Sequence, residues 1–339
     1  MIDVIDLKKY FPVVSGIRSL FSRSRGKVVK AVDSVSFQIE TGQVLGLVGE
    51  SGCGKSTTGR VLLDLEQPTS GDILINGESG RALKKKNRKT YYRRIQMIFQ
   101  DPYGSINPQH NVASILSRPL MYQGIRDKTI IRDKMLETLD RVGLSPPEAF
   151  LEKYPHLLSG GQRQRLCIGR AIILEPEFLV ADEPISMLDV SIKSGIIILL
   201  KRLVREQNLS LLYITHDLAT VGHLCDKIAI MYMGRIVEIG PTDDVLDRPG
   251  HPYTRALISS IPIPDPSITR SGAPISGAIS DPVNLPSGCR FHPRCPYAEN
   301  LCRQREPVSA AVKDNPEHGA ACFLTDKLPG FDLTKGHRC

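Results

Sequence analysis

The residues best equipped for chemistry stand together at 49–57. Gly49-Glu50-Ser51-Gly52-Cys53-Gly54-Lys55-Ser56 has the spacing G-x-x-x-x-G-K-S of a P-loop, and Thr57 follows directly. Glycines at these places let backbone N–H groups converge on phosphate oxygens, and a helix starting at Lys55 turns its positive end to the same point. Lys55 supplies a full charge for the β and γ phosphates of a nucleotide, and the Ser56 hydroxyl can ligate Mg²⁺. A second constellation closes the apolar run from Phe178 to Ala181. Asp182 at its end can reach the Mg²⁺, and Glu183, one residue on, is placed to orient and deprotonate an attacking water. A chance glycine turn, or an acid at a helix start, would account for either motif alone; both in one chain point to nucleotide hydrolysis.

A third set is formed by Cys289, Cys295, Cys302 and Cys322, separated by five, six and nineteen residues. None of these gaps is the two-residue spacing of a zinc ribbon. Four thiolates can hold zinc or an iron–sulfur cluster, and Pro296 after Cys295 matches the Cys-Pro ending of ferredoxin ligand runs. The segment MIDVIDLKKY lacks a basic stretch followed by an apolar one, so neither a secretion signal nor a disulfide framework is expected.

These groups need elements to carry them. Val44 to Val48, Phe178 to Ala181 and Leu211 to Thr215 are short apolar runs suited to strands buried on both faces. Each is followed by a segment of helical character: Lys55 to Leu65, Val190 to Arg205 and Asp217 to Leu224. Strand then helix, repeated, predicts an α/β core with a mostly parallel sheet. Between about residues 102 and 158 helical spacing takes over, as in Ile130, Met135, Leu136, Leu139 and Val142, predicting an inserted helical subdomain. Beyond 245 proline and glycine become frequent, so 246–339 reads as a separate, loop-rich extension of a domain spanning 1–245.

A hydrophobic content of 41% over 339 residues supports a well-buried core. The longest aliphatic run, Ile196 to Leu200, is far short of a membrane span, which places the protein in the cytosol by expectation. The net charge of +8 is uneven: Arg81 to Arg94 holds eight basic residues, and Arg18, Arg23, Arg25, Lys27 and Lys30 crowd another stretch. Both read as solvated loops, and neither carries the aromatic pattern of RNA binding.

Leu158-Ser159-Gly160-Gly161-Gln162, about 100 residues after the P-loop, resembles the signature sequence of ATP-binding cassette proteins. The rest of that family's pattern appears in order: Gln100 after the run Ile95 to Phe99, Asp182 with Glu183, Ser186-Met187-Leu188-Asp189, and His216 at a strand end. The resemblance implies the cassette fold, with a parallel core sheet, an antiparallel β subdomain and a helical subdomain. It also implies a head-to-tail dimer in which each ATP lies between one subunit's P-loop and the other's signature segment. In that arrangement Ser159, Gly160 and Gly161, with Gln162, cap the γ-phosphate, Asp189 bridges towards the opposite site, and His216 senses the γ-phosphate. Gln100 joins metal or water to the transporter contact. An aromatic near the first strand stacks on adenine in this family; spacing from Leu7 points to Phe11, with Tyr10 beside it.

The segment Gln100 to Pro108 resembles the surface where importer cassettes receive the permease's coupling helix. His251-Pro252-Tyr253-Thr254-Arg255-Ala256-Leu257 and Gly288-Cys289-Arg290-Phe291-His292-Pro293-Arg294-Cys295-Pro296 resemble the C-terminal extension of oligopeptide and dipeptide importer ATPases. The basic insert from about Pro12 to Val29 is similar to members of the F-type half of those paired ATPases. The resemblance therefore implies a motor at the cytoplasmic face of the membrane, with two permeases, a second, non-identical ATPase and an extracytoplasmic substrate-binding protein as partners, and no nucleic acid. It implies a four-iron four-sulfur cluster on the late cysteines, with zinc as the alternative. Peptide is the expected cargo; close relatives carry nickel chelates, glutathione or oligosaccharides. The competing class is a soluble, nucleic-acid-associated ATPase using the basic loops.

Overall fold

The apolar runs are strands, and those that flank the candidate chemistry are buried along their whole length. The computed structural model describes residues 1–13, 27–261, 281–313 and 315–331. It divides into two compact units: 1–3, 38–44 and 73–214 in one, and 4–37, 45–72 and 215–339 in the other.

In the first unit the strands Ile95–Ile98, Phe178–Asp182 and Ser210–Thr215 run parallel, with registers Ile95↔Phe178 and Phe178↔Ser210. Every residue of the last two is buried, so their apolar runs need no alternation. The inserted helices are Val112–Tyr122 and Lys128–Arg141, capped by Asn111 on Ser114 N–H and by Asp127 on Thr129 and Ile130 N–H. Burial on the second follows Ile131, Met135, Thr138 and Leu139, whereas Ile130, expected in the stripe, is exposed. One of two adjacent isoleucines had to face the core, and the four-residue step to Met135 selects Ile131.

The basic stretch 81–94 departs from expectation. It forms two short helices, Gly80–Lys86 and Arg88–Arg94, hinged at Asn87, whose side chain caps the second. Tyr91 anchors the pair in the core, and Arg94 makes a two-pronged bond to Glu177 at 2.8 Å. Most of the second basic cluster, and of the insert 12–29, lies outside the described residues.

In the second unit Val44–Val48 runs parallel to Lys227–Tyr232, and a two-residue turn returns the chain as Arg235–Pro241. Met233 and Gly234 both have positive φ, the geometry that matches strand twist in a tight hairpin. A Cβ on Gly234 would lie 2.6 Å from the Lys30 carbonyl, so only glycine fits. The strands Val28–Ile39, Ile2–Pro12 and Ser70–Ile75 stand side by side, in that order, in a second sheet.

The tail is integral to this unit. Asn315–Ala320 pairs with Arg235–Pro241 through Glu238↔Ala320 and Ile239↔Gly319, and Ala310–Val312 pairs outside it. Glu238, fully buried, accepts the N–H groups of Gly250 (2.6 Å) and His251 (2.9 Å) and bonds His318 Nε2 at 2.7 Å. Tyr253 and Phe291 pack against Tyr232 with ring centroids 4.7 and 5.3 Å away, all three almost without solvent exposure. Rings so buried typically cost about 3–5 kcal/mol when truncated to alanine.

Candidate active site

The phosphate loop is built on the second unit. Val44–Val48 ends at Gly49, and the helix Lys55–Leu62 begins after Gly54. A Cβ on Gly49 would meet the Met231 carbonyl at 2.2 Å, and one on Gly54, whose φ is 112°, the Ala31 carbonyl at 2.1 Å. These two glycines are therefore required by close backbone approach. Gly52 differs: its φ is +80° and a Cβ there would meet nothing within 4 Å. Ser51 and Gly52 form the open rim, and Ser56 and Thr57 lie half-buried on the first helical turn.

Lys55 is 4% exposed, and its Nζ donates to the carbonyls of Gly49 (2.7 Å) and Glu50 (2.9 Å). The charge is thus held over the loop whose N–H groups would receive phosphate. Cys53 is buried behind it, and burial pushes its thiol up. Glu50 is fixed from a second direction: its N–H donates to the Tyr253 hydroxyl at 2.9 Å, and its carboxylate takes both Arg294 Nη atoms at 2.8 and 2.9 Å.

His216 is exposed just beyond Ser210–Thr215. Phe11 is half-buried with Lys9 Nζ 4.7 Å over its ring. Its neighbour Tyr10 donates its hydroxyl to Asp33; burial first, then that bond, pushes the phenol up to about 12.

The first unit brings Gln100, Asp182 and Glu183 together. Asp182 is buried at the end of its strand, opposite Ile214. Glu183 has φ 45°, in the left-handed region, and its N–H is tied to the Ile214 carbonyl at 2.9 Å. A non-glycine residue there carries backbone strain, and such strain collects at functional sites. Gln100 Nε2 donates to Glu183 Oε2 at 3.0 Å, so the carboxylate is oriented.

The segment 158–162 is a helix start. Ser159 caps Gly160–Ile172, with Ser159 Oγ accepting from Gln162 N–H and Gln162 Oε1 accepting from Ser159 N–H. Gln162 is thereby used locally, while the Ser159 hydroxyl proton stays available to an outside acceptor. Gly161 is needed because a Cβ would lie 2.8 Å from Ile192, whereas Gly160 has more room. Asp189 is exposed at the start of Val190–Gln207. Arg163, which sequence reasoning missed, bonds the carbonyls of Pro155 and Leu158 and stacks on Tyr103 at 3.9 Å. It joins the signature turn to the 100–108 segment.

Residues 32–186 match the ABC transporter family, and residues 237–302 match the oligopeptide/dipeptide transporter C-terminal region. The oligopeptide transport ATP-binding protein AppF of Bacillus subtilis is 44% identical over 327 residues, which are 96% of this chain and 97% of that one. The chain belongs to the ATP-binding proteins of ABC transporters. The dipeptide transport ATP-binding protein DppF of Escherichia coli is 41% identical, covering 96% of this chain and 95% of its own. Among solved structures, a dimeric ATP-binding cassette in a post-hydrolysis state, bound to ADP and Pi, is similar with TM-score 0.61 and 25% identity, over 71% of this chain and 99% of that one. The cassette is an ATPase by family, and no helix among its described residues is long and apolar enough to cross a membrane.

The metal expected in the tail gains no support here. Among the described residues no group of three or more His, Cys, Asp or Glu could hold a metal ion. Cys289, Cys295, Cys302 and Cys322 are free thiols, the third buried and the others half-buried. Burial pushes the Cys295 thiol up to about 12 and the Cys322 thiol up to about 11, against N–H groups of Tyr297 and Leu324 that work the other way.

Proposed function

We propose that this cassette is the F-type motor subunit of a peptide importer, working at the cytoplasmic face of the membrane with two permeases, a second, non-identical ATPase and an extracytoplasmic binding protein. The observation that carries this reading is end-to-end similarity, tail included, to oligopeptide and dipeptide transport ATP-binding proteins at 41–44% identity.

The residue roles follow from chemistry. The N–H groups from Gly49 to Gly54, with Lys55, Ser56 and Thr57, bind the ATP phosphates. Asp182, Ser56 and Gln100 are oxygen donors suited to Mg²⁺, which would neutralise phosphate charge. Glu183 takes the proton of the attacking water through one carboxylate oxygen while Gln100 holds the other. Ser159, Gly160 and Gly161 offer a hydroxyl and helix-start N–H groups to the γ-phosphate of a partner's nucleotide. Asp189 bridges towards the opposite site, His216 senses the γ-phosphate, and Phe11 stacks on adenine.

A cleft of about 470 Å³, lined by Ser105, Ile106, Asn107, Ile115 and Tyr122, and the exposed Tyr103 support permease docking at 100–108. The iron–sulfur reading of the tail rests on the resemblance and on the N–H groups of Phe291, Tyr297 and Leu324, which bond Cys289, Cys295 and Cys322 and favour thiolate character.

Mild-detergent capture of the tagged chain from native membranes tests the assignment. Two permeases and a different cassette should co-purify in stoichiometric amount. Recovery of the chain alone, or with nucleic acid released by salt, would refute it.

A further inference from the structure

We infer that Arg294 is a positioning residue for nucleotide binding: it holds the Glu50 carboxylate of the P-loop, so that the tail sets the affinity for the phosphate chain. The inference rests on the phosphate-binding reading of 49–57.

Glu50 is restrained through three separate groups. Its N–H is taken by the Tyr253 hydroxyl, its carbonyl accepts from Lys55 Nζ, and its carboxylate receives both Arg294 Nη atoms. Two of these three partners come from the tail. Arg294 is only 7% exposed, and its bond to Glu50, then to Tyr232, holds the guanidinium above its ordinary range. It lies in the turn His292–Arg294, one residue before Cys295, and that turn is anchored by Phe291 among Tyr232, Tyr253 and His251.

A bond serving only to attach the tail could end on any strand of the unit. Here the acceptor is the second residue of the phosphate loop. Glu50 is also the sole carboxylate between Gly49 and Thr57, where a polyanion must be received. Left unpaired, it would repel the phosphates and be free to swing over the loop; paired in a fork geometry, its charge is offset and its direction fixed. Arg294 therefore acts on affinity through both charge and loop shape without touching nucleotide.

The experiment is competition binding of ATP and AMP to the full chain. Arg294→Met should weaken ATP roughly tenfold, the range of one contact coupled to its neighbour, and leave AMP, which lacks the β and γ phosphates, nearly unchanged. Arg294→Lys should restore part of the loss. Glu50→Gln added to Arg294→Met should bind ATP more tightly than Arg294→Met alone, because the stranded carboxylate is gone. Lys55→Ala is the control: if it leaves ATP binding intact, the phosphate-loop reading fails. If Lys55→Ala weakens ATP while Arg294→Met does not, or if ATP and AMP fall together, Arg294 is a structural staple only and the inference fails. Should Arg294→Met not fold, Arg294→Lys and Glu50→Gln carry the same comparison, and an ATP to AMP ratio equal to the parent's in both would overturn it.

Discussion

Removing Arg290 should destabilise the second unit by a calculable amount. Arg290 donates to Asp33 and to the Met233 carbonyl, and the two side chains of the ion pair are 7% and 4% exposed. Removing one member of a buried pair costs about 3–5 kcal/mol, because the other charge is stranded. Asp33 keeps the Tyr10 hydroxyl and has Arg235 at 3.5 Å, which recovers about 1–2 kcal/mol, while the Met233 carbonyl loses a bond worth about 1 kcal/mol. Arg290→Met should therefore cost about 2–5 kcal/mol. Adding Asp33→Asn removes the stranded charge, so the double variant should be more stable than Arg290→Met by about 1 kcal/mol. Burial works to raise the Asp33 carboxyl, but hydrogen bonds from Tyr10 and Arg290 leave it below 3.8. With the folded value depressed, the pair contributes fully above pH 3.8, and that contribution is lost as pH falls below it through the folded value. The chain has no tryptophan, so urea unfolding followed by circular dichroism is the suitable assay. A change under about 0.5 kcal/mol for Arg290→Met, or a double variant less stable than the single, would refute the reasoning.

Glu183→Gln should retain ATP binding while hydrolysis falls by roughly 10²–10⁴, read as phosphate release at saturating ATP; near-parental turnover would remove Glu183 as the base. Burial lowers His251 to about 3 from an ordinary 6.5, so the unfolded chain takes up this proton first and stability should fall as pH drops from 6.5 towards 3. His251→Gln should flatten that slope in pH-dependent denaturation, and an unchanged slope would assign it to other groups. Protein purified without oxygen should contain iron and acid-labile sulfide that Cys295→Ser removes; one equivalent of zinc, or no metal with an ordered tail, would decide against the cluster.

The phosphate loop, the Asp182–Glu183 pair and the signature turn were legible because each is a run of neighbours whose chemistry is local. The strands bearing them were legible because burial on both faces leaves an unbroken apolar run. Arg294 was not, since its partner Glu50 lies 244 residues away and no periodicity links an arginine in a turn to a loop in another part of the chain. The tail strands were missed for a related reason. Asn315–Ala320 reads NPEHGA, and it buries only His318 and Ala320, so its membership of the sheet comes from pairing and from the carboxylate of Glu238 rather than from hydrophobic pattern. Two adjacent isoleucines blur the stripe, and only the four-residue step from Ile131 to Met135, against five from Ile130, separates them.

The strands contributed by the tail also decide what the sheet presents at its margin. Without them Arg235–Pro241, seven residues long, would leave one flank of backbone N–H and C=O groups open to any passing strand, with an acidic side chain stranded beside it. In the intact chain that margin is the three-residue segment Ala310–Val312, too short to template a neighbour. A chain cut near residue 245 should therefore self-associate, and the tail is in this sense a guard against polymerisation.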